Sequence, residues 1–378
     1  MPAIAIDYTP AYEQGGGIGR YVRELVTALA HVDAPENRYR LFVAGAGRKP
    51  LPEIPGAQFE WKPVSLTPSW LARLWGRARL PFPVELFTGN VDLYHATDFV
   101  LPPTRSKTRT VLTVHDLSFL RVPETASPGL RQYLENVVPR SVQRADHVLA
   151  DSEATRQDLI SYYQTDASKI EVLYSGVDSR FRPITDQAAI NRVRQHYGIS
   201  DRPYVLSVGT VQPRKNYPKL IEAVSRLKQS ELCVVIVGGK GWLEDPIYAS
   251  IRQLGMQERV IFAGFVADDD LPAIYSGSLC MALPSLYEGF GLPVLEAMAC
   301  GVPVITSNLS SLPEVAGNAG ILVTPTHLEE ITNALERVTT DSALRESMVA
   351  KGLLQAQKFS WEASAQQLKR VYDQLLHE

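Results

Sequence analysis

The sequence predicts an α/β protein built from two doubly wound domains, each a parallel sheet with helices on both faces. Short apolar runs alternate with helical patterns along the chain, and the whole series starts again about halfway. A length of 378 residues is sufficient for two cores of ordinary size. We therefore expect a ligand-binding cleft between the two sheets, at the carboxyl ends of their strands.

Each half contains a series of candidate strands. In the first half they are Ala3–Asp7, Tyr39–Ala44, Leu93–His95, Thr110–His115, His147–Ala150 and Ile170–Leu173. In the second half they are Tyr204–Gly209, Leu232–Val237, Val260–Ala263, Leu279–Leu283, Pro303–Thr306 and Ile321–Val323. Helical patterns between them include Gly19–Ala30 and Ser152–Tyr163, with Ser152 placed as an N-cap.

The boundary between the halves is predicted in the segment GVDSRFRP, Gly176–Pro183. This segment is rich in turn residues and has no hydrophobic periodicity. It divides the chain into an N-terminal domain of residues 1–180 and a C-terminal domain of residues 181–360. A further helical pattern, residues 361–378, follows the second domain.

The composition is typical of a soluble globular protein, with 45% hydrophobic and 21% charged residues. The net charge of −3 argues against nucleic acid as a partner. No apolar run approaches the roughly 20 residues of a membrane span, and the chain leads straight into a strand pattern, so we expect a cytoplasmic protein. Cys233, Cys280 and Cys300 have no zinc-ligand spacing and are predicted to be buried thiols.

A glycine-rich loop with Gly15, Gly16, Gly17 and Gly19 follows the first strand and precedes a helix. Glycines in this position let backbone amides approach a phosphate closely. A dinucleotide fingerprint would need glycine where Arg20 stands, and the next strand lacks an acid at its end. The loop therefore disfavours a hydride-transfer enzyme; it is either a phosphate-binding loop or only a flexible connection.

The most specific pattern is EGFGLPVLE, which extends from Glu288 to Glu296. Pro293 suits the first position of a helix and Gly301 the residue beyond its end, so a helix is predicted to begin at about Gly291–Pro293. The free amides and dipole of that helix favour a diphosphate. Glu296 is placed to accept hydrogen bonds from ribose hydroxyls, and Glu288 from sugar hydroxyls. The alternative is a glycine-rich turn with two solvated glutamates.

A basic pair, Arg214-Lys215, follows a strand that ends at Gly209 and precedes another helix. Two cations in this position can bind a diphosphate and neutralise the charge that develops when it leaves. A solvated basic pair on a loop is the alternative.

These motifs together resemble glycosyltransferase family 4, retaining enzymes of the GT-B fold, over nearly the whole chain. The matching elements are the Glu-x7-Glu motif of Glu288 and Glu296, Arg214-Lys215, the loop Gly15–Gly19, His115-Asp116 in TVHD, and the final stretch FSWEASAQQLKRVYDQL. The resemblance implies two Rossmann-like domains facing a central cleft. Residues 1–180 would bind the acceptor, residues 181–360 the nucleotide sugar, and residues 361–378 would form a helix that crosses back to the first domain.

The resemblance also implies roles for individual residues. Glu296 would bind ribose, Glu288 would bind the donor sugar, and Arg214 and Lys215 would bind the diphosphate. The amides of Phe290, Gly291 and Leu292 would contact sugar and phosphate, and Gly17 would contact the phosphate. His115 would line the sugar site, Gly209 would belong to the donor site, and the backbone at Phe265 and Val266 would edge the base pocket. His115, Arg214, Lys215 and Glu288 are the implied catalytic residues. Neither a metal ion nor another cofactor is expected, since the helix amides and the two cations serve in its place.

The run IDYTPAYEQGGGIGRYVREL, with TVHDLSFLRVPE and SVGTVQPRKN, resembles the mannosyltransferase branch of the family. This implies transfer of mannose from GDP-mannose to a glycan or polyprenyl-linked acceptor in surface polysaccharide synthesis. UDP-hexose donors remain an alternative. So do a nucleotide-sugar epimerase of the same fold and a non-catalytic GT-B binding protein.

Three further features leave two interpretations each. His95 either faces the acceptor or is a core histidine. Asp268–Asp270 either binds a metal or, as we favour, begins a helix. The segment Trp70–Arg79 carries an apolar stripe with arginines beside it, so it either contacts an anionic membrane or packs as an ordinary helix. The stripe consists of Trp70, Leu71, Leu74, Trp75 and Ala78, and the arginines are Arg73, Arg77 and Arg79.

Overall fold

The structure is a computed structural model that describes residues 1–32, 36–77 and 80–377. The chain forms two compact units. The first unit contains Met1–Leu117, Gln132–Gly176 and Ser360–Glu378, and the second contains Ser118–Arg131 and Val177–Phe359. The chain thus leaves the first unit twice, at Ser118–Arg131 and at Val177–Phe359, and the final helix returns to it. No pattern in the sequence indicated the first of these two excursions.

The first unit is built on a parallel sheet with the order β3-β2-β1-β4-β5-β6-β7. Its strands are β1 (Ala3–Asp7), β2 (Arg38–Ala44), β3 (Phe59–Val64), β4 (Leu93–Ala96), β5 (Arg109–Val114), β6 (His147–Ala150) and β7 (Ile170–Val172). Central strands such as β1 are apolar on both faces because helices cover both sides of the sheet.

The second unit is built on a parallel sheet with the order β10-β9-β8-β11-β12-β13. Its strands are β8 (Tyr204–Val208), β9 (Cys233–Val237), β10 (Val260–Gly264), β11 (Cys280–Leu283), β12 (Val304–Ser307) and β13 (Ile321–Val323). The α/β class with two doubly wound, Rossmann-like sheets, the GT-B architecture, is therefore confirmed.

Sixteen α-helices of the described residues accompany the two sheets. In chain order they are α1 (Thr9–Glu13), α2 (Gly17–Val32), α3 (Pro68–Leu71), α4 (Glu85–Thr88), α5 (Ser118–Arg121), α6 (Pro128–Arg144), α7 (Glu153–Tyr163), α8 (Gln187–His196), α9 (Tyr217–Ser225), α10 (Asp245–Gln253), α11 (Leu271–Ser276), α12 (Leu292–Ala299), α13 (Leu312–Ala316), α14 (Leu328–Thr340), α15 (Ser342–Ala356) and α16 (Trp361–His377). The predicted cap of α7 is confirmed, because Ser152 Oγ accepts a hydrogen bond from the amide of Thr155.

Strand β3 was not predicted from the sequence. Among the described strands it pairs with β2 alone and lies at the edge of its sheet. Its sequence, FEWKPV, contains two charged residues and Pro63, which cannot donate to a ladder and is tolerated mainly at sheet edges. Because the strand is not an apolar run, its sequence pattern did not identify it as a strand.

Helix α16 belongs to the first unit, where it packs against α2. The hydroxyl of Ser364 donates a hydrogen bond to the carbonyl of Tyr174, and the hydroxyl of Tyr372 lies 2.7 Å from Nδ1 of His95. A side chain at Gly176 would meet the backbone nitrogen of Trp361 at 2.1 Å, so glycine is required there.

His95 is a core histidine. Its side chain is fully buried, and its ring nitrogens lie 2.7 Å from the Tyr372 hydroxyl and 2.8 Å from the Thr113 hydroxyl. Burial lowers the pKa of His95 to about 3, so the ring is neutral. One donating and one accepting nitrogen are satisfied by the two hydroxyls, which favours the structural interpretation over contact with an acceptor.

Two further expectations concern the whole chain. Cys233, Cys280 and Cys300 are buried free thiols, as the sequence indicated. Among the described residues, no helix is both long enough and apolar enough to span a membrane.

Candidate functional site

In each sheet the strand order reverses once, between β1 and β4 in the first unit and between β8 and β11 in the second. Ligands of open α/β sheets bind where the order reverses, beyond the carboxyl ends of the strands. In the second unit the segments that follow β8 and β11 carry the basic pair and the Glu-x7-Glu motif. The fold therefore brings both motifs to one edge of the sheet.

The basic pair is held in a tight turn, Pro213–Lys215, after Gly209. Asn216 ends this turn in the left-handed region, and its side-chain amide donates to the carbonyls of Pro284 and Pro325. The stem of Lys215 lies directly over Gly209, where a Cβ atom would meet Lys215 Cε at 2.6 Å. Gly209 thus serves the site by making room for the lysine.

Glu288 accepts ion pairs from both cations. Its Oε1 lies 2.7 Å from Lys215 Nζ, and its Oε2 lies 2.8 Å from a guanidinium nitrogen of Arg214. All three side chains are largely buried. Burial alone would raise the pKa of Glu288, but the charges of Arg214 and Lys215 lower it to about 2, so the carboxylate is ionised.

The loop that carries Glu288 is fixed by two serines that no motif in the sequence marks. Ser310 Oγ accepts a hydrogen bond from the amide of Glu288. Ser311 Oγ lies 2.9 Å from the carbonyl of Glu288 and 2.7 Å from that of Phe290. Ser310 has a φ of 54°, which is unusual for a non-glycine residue and marks a constrained turn. The roles of both serines become visible only once the chain has folded.

Helix α12 begins at Leu292, at the predicted position. Its N-cap is Gly291, with φ 114° and ψ 42°, and a Cβ atom there would approach Leu312 Cδ2 to 2.8 Å. The first amides of a helix have no acceptor inside that helix, so they can bind an anion. They lie at the same loop as Glu288 and its two cations.

Glu296 lies in the second turn of α12 and is only 3% exposed. Its Oε2 accepts a hydrogen bond of 2.7 Å from the hydroxyl of Tyr275. Tyr275 therefore orients the carboxylate. This role could not be recognised from the sequence, because the tyrosine lies on a different helix, α11. The assignment of Glu296 to ribose stays a prediction.

Phe265 and Val266 follow β10 and differ in exposure. The ring of Phe265 is 64% exposed, whereas Val266 is 2% exposed and packs in the core of the second unit. The side chain of Val266 is therefore unavailable to a nucleobase, whereas Phe265 presents an exposed aromatic face. The assignment of both residues to the base pocket stays a prediction.

His115 lies in the first unit, at the end of β5. Its Nδ1 is 2.7 Å from a carboxylate oxygen of Asp151, and its Nε2 is 2.9 Å from the carbonyl oxygen of Thr97. Both neighbours are acceptors, so both nitrogens donate and the ring is an imidazolium. Burial alone would lower the pKa of His115, but Asp151 raises it to about 9. Both ring N–H groups are used inside the unit, so any contact with a sugar would involve another part of the ring.

The glycines of the loop Gly15–Gly19 differ in how closely they are packed. Gly19 is tightly packed, since a Cβ atom would meet the carbonyl oxygen of Gln14 at 2.1 Å. Gly17 begins α2 and is exposed, and a Cβ atom added there would have no neighbour within 4 Å. Packing therefore explains Gly19, and the phosphate role of Gly17 stays a prediction.

The acidic run Asp268–Asp270 is engaged in other contacts. Asp270 accepts a hydrogen bond from the hydroxyl of Tyr197 at 2.8 Å, and Asp269 lies 3.3 Å from Arg180. Helix α11 starts directly after Asp270, as expected, although the Asp270 side chain does not cap it. Across the described ranges, no group of three or more potential metal-ligating side chains occurs.

The residues of the apolar stripe in Trp70–Arg79 differ in their environment, since some are packed against the core and others are exposed. Helix α3 ends at Leu71 and continues as a π-helical turn, Ala72–Arg77. Leu71 and Trp75 pack against the core of the first unit, whereas Trp70 is 53% exposed. Ala78, Arg79 and the side chain of Arg77 lie outside the described residues.

Comparison with known proteins places these motifs in one family. Residues 15–181 match the family model Glycosyltransferase Family 4, and residues 190–355 match the model Glycosyl transferases group 1. O-antigen chain mannosyltransferase B of Escherichia coli is 33% identical over 283 residues, 74% of each chain. Serotype-specific mannosyltransferase WbdA of the same species is 32% identical over 290 residues, 75% of this chain and 35% of that protein. D-inositol 3-phosphate glycosyltransferase of Salinispora tropica is 31% identical over 315 residues, 77% of this chain and 65% of that protein.

Solved structures share the same fold. Sucrose-phosphate synthase from Thermosynechococcus elongatus has a TM-score of 0.79 at 23% identity, with 100% of both chains covered. Anabaena HepE, solved in complex with UDP and glucose, has a TM-score of 0.73 at 21% identity, with 99% of both chains covered. Together with the family models and the site geometry, these findings establish that the chain belongs to glycosyltransferase family 4.

Proposed function

We propose that this glycosyltransferase moves a hexose, with mannose favoured, from a nucleotide diphosphate sugar to a glycan or polyprenyl-linked acceptor, with retention of configuration. The observation that carries the proposal is the cluster of Arg214, Lys215 and Glu288 at the N-terminus of α12. This arrangement pairs anion-binding groups with a carboxylate that can accept sugar hydroxyls. No metal ion or other cofactor is needed in this scheme.

The ion pairs suggest how the cluster responds to donor. A diphosphate entering the site competes with Glu288 for the two cations, because both anions prefer the same donors. The helix amides then share the phosphate charge, and the released carboxylate of Glu288 becomes available to sugar hydroxyls. Donor binding and the positioning of Glu288 are coupled by this exchange.

The same cluster stabilises the leaving group. As the glycosidic bond breaks, negative charge grows on the diphosphate, where Arg214 and Lys215 are already in place. In this scheme the released carboxylate of Glu288 accepts hydrogen bonds from sugar hydroxyls, a binding role and not that of a nucleophile. We infer that the acceptor hydroxyl attacks on the face from which the diphosphate departs, with the leaving phosphate as base.

The choice of GDP-mannose rests on relatives. The mannosyltransferases above share about a third of their aligned residues with this chain, whereas Anabaena HepE was solved with UDP and glucose. The test measures hydrolysis of GDP-mannose and UDP-glucose at equal concentration, with and without membrane lipid extract. A clear preference for UDP-glucose in both conditions would discard the mannosyl assignment and leave the transferase intact.

We also propose a cytoplasmic enzyme with peripheral contact to the inner membrane face. The exposed Trp70 carries the guanidinium of Arg73 over its ring, 5.1 Å from the centroid. An exposed aromatic ring beside a cation suits an anionic lipid surface. A lipid-linked acceptor would be reached from that surface.

A further inference from the structure

The first unit contains a cavity of about 190 Å³. Asp7, the last residue of β1, and Asp98, two residues after β4, both line it. These are the neighbouring strands between which the strand order of this sheet reverses. The cavity therefore lies where open α/β sheets bind ligands.

Neither carboxylate is held in an ion pair by a described residue, although buried carboxylates usually are. Asp7 is held by Thr9, whose amide donates to it at 2.9 Å. The carboxylate of Asp98 accepts no hydrogen bond from any described residue. Burial raises the pKa of both groups, and for Asp7 burial together with the neighbouring charge of Asp98 raises it to about 6. Hydroxyl groups of a ligand would supply the missing donors.

A third polar group points to a ligand independently. Tyr94 lines the same cavity, is 0% exposed, and its hydroxyl has no hydrogen-bond partner among the residues that the structure describes. An unpaired buried hydroxyl is unfavourable by about 1–3 kcal/mol. A ligand oxygen in the cavity would pair with it.

The rest of the lining is mainly apolar and aromatic. Phe42, Leu71, Trp75 and Tyr133 form much of the wall. Small-molecule sites commonly combine such walls with a few polar groups that fix orientation. A sugar-like ring fits this combination, because its hydroxyls form a polar rim and its C–H faces are apolar.

The negative charge of the cavity favours a sugar-like ring with neutral hydroxyls over one that carries a phosphate group. Glu13 is paired with Arg48 at 3.2 Å, so Asp7 and Asp98 are the carboxylates of the described lining that are not held in an ion pair. His115 acts on Asp98 electrostatically, but it is itself held by Asp151, and Asp116 and Asp151 add negative charge nearby. No lysine or arginine is found among the described lining residues. A phosphate group would be repelled here, whereas neutral hydroxyls would be accepted.

We propose that this cavity binds the acceptor and selects a neutral, polyhydroxylated ring over a phosphorylated one through Asp7, Asp98 and Tyr94. The proposal rests on the transferase function proposed above, which supplies the reason for an acceptor site. Asp98 is the main selecting residue, because its carboxylate is available to two hydroxyls at once.

The test compares matched probes on the full chain in the absence of donor. Binding of methyl α-mannoside and of its 6-phosphate is measured by ligand-observed NMR titration, for the parent and for Asp98→Asn and Tyr94→Phe. The parent should bind the neutral probe about tenfold or more tightly than the phosphorylated one. Asp98→Asn should weaken binding of the neutral probe about tenfold and reduce the discrimination between the two. Glu53→Gln, which alters an exposed carboxyl of the same unit, should change neither value.

Thermal unfolding of each variant checks that the fold is intact, and the isosteric Asp7→Asn provides a second substitution if one variant is unstable. Equal or tighter binding of the phosphorylated probe, no binding of the neutral probe, or unchanged binding in Asp98→Asn and Tyr94→Phe would overturn the proposal. Donor hydrolysis is assayed in the same preparations. Intact hydrolysis with failed probe binding refutes only this inference, whereas absent hydrolysis with selective probe binding refutes only the proposed function.

Discussion

The ammonium group of Lys215 lies 2.7 Å from Oε1 of Glu288, although 73 positions separate the two residues in the chain. The pair joins two motifs that the sequence assigns to different parts of the donor. In this state the residue proposed for the sugar neutralises a residue proposed for the diphosphate. A substitution at either residue will therefore also change the electrostatic environment of the other.

The first prediction concerns the cations. Lys215→Ala and Arg214→Ala should each remove about 2–4 kcal/mol of transition-state stabilisation, because each deletes one preorganised charge contact. Steady-state donor hydrolysis measures the loss as kcat/KM. Lys219→Ala is the matched control, since Lys219 on α9 pairs with Glu222 at 3.1 Å in a more exposed position. Unchanged turnover in both variants would remove the cations from the mechanism.

The second prediction separates the two glutamates. Glu296→Gln should mainly weaken nucleoside diphosphate binding, because contacts with ribose are similar in ground and transition states. Glu288→Gln should mainly lower kcat, because contacts with the sugar change during reaction. Calorimetry with GDP and UDP, together with initial rates, resolves the two effects. Tight nucleotide binding by Glu296→Gln would contradict the ribose assignment.

The third prediction concerns the space above Gly209. Gly209→Ala introduces a Cβ atom 2.6 Å from Lys215 Cε at a φ of 153°, so the lysine must shift. We expect turnover to fall toward that of Lys215→Ala, with a stability loss on the order of 1–3 kcal/mol from backbone strain. Gly239→Ala, where nothing lies within 4 Å, should be nearly neutral. Equal activity of both variants would show that the position of the lysine is not critical.

The fourth prediction is a pH dependence of stability. The pKa of His115 is raised to about 9 in the folded protein. The stabilisation is fully present below the unfolded pKa of about 6.5 and is lost as the pH rises through 9. The parent should lose on the order of 1–3 kcal/mol more between about pH 6.5 and about pH 10 than His115→Asn does. Thermal midpoints measured across this range test it, and parallel curves for parent and variant would contradict the ion pair with Asp151.

The sequence predicted those features that depend on local pattern. The start of α12 at Gly291–Pro293 and the cap at Ser152 follow from residues within one turn of each helix, so they could be recognised without the fold. The position of His95 could not be decided, because its partner Tyr372 lies 277 residues away. The same limit applies to Tyr275 and to the serines at 310 and 311, whose functional contacts are made through space and leave no signature in spacing.

The last prediction concerns the exposed edge around Trp70. Trp70 is 53% exposed with Arg73 lying against its ring, and Leu66 and Phe82 of the same stretch of sequence are 39% and 48% exposed. If this surface contacts lipid, the parent should sediment with vesicles that contain an anionic lipid and much less with neutral vesicles, since each basic residue near such a surface contributes about 1 kcal/mol. Trp70→Ala and Arg73→Glu should each reduce the bound fraction several-fold at low salt. Leu354→Ala, which removes a 65% exposed leucine from the second unit, is the matched control and should bind like the parent. Binding that is equal for all variants, or absent for the parent, would leave Trp70 as an exposed residue of an ordinary first-unit helix.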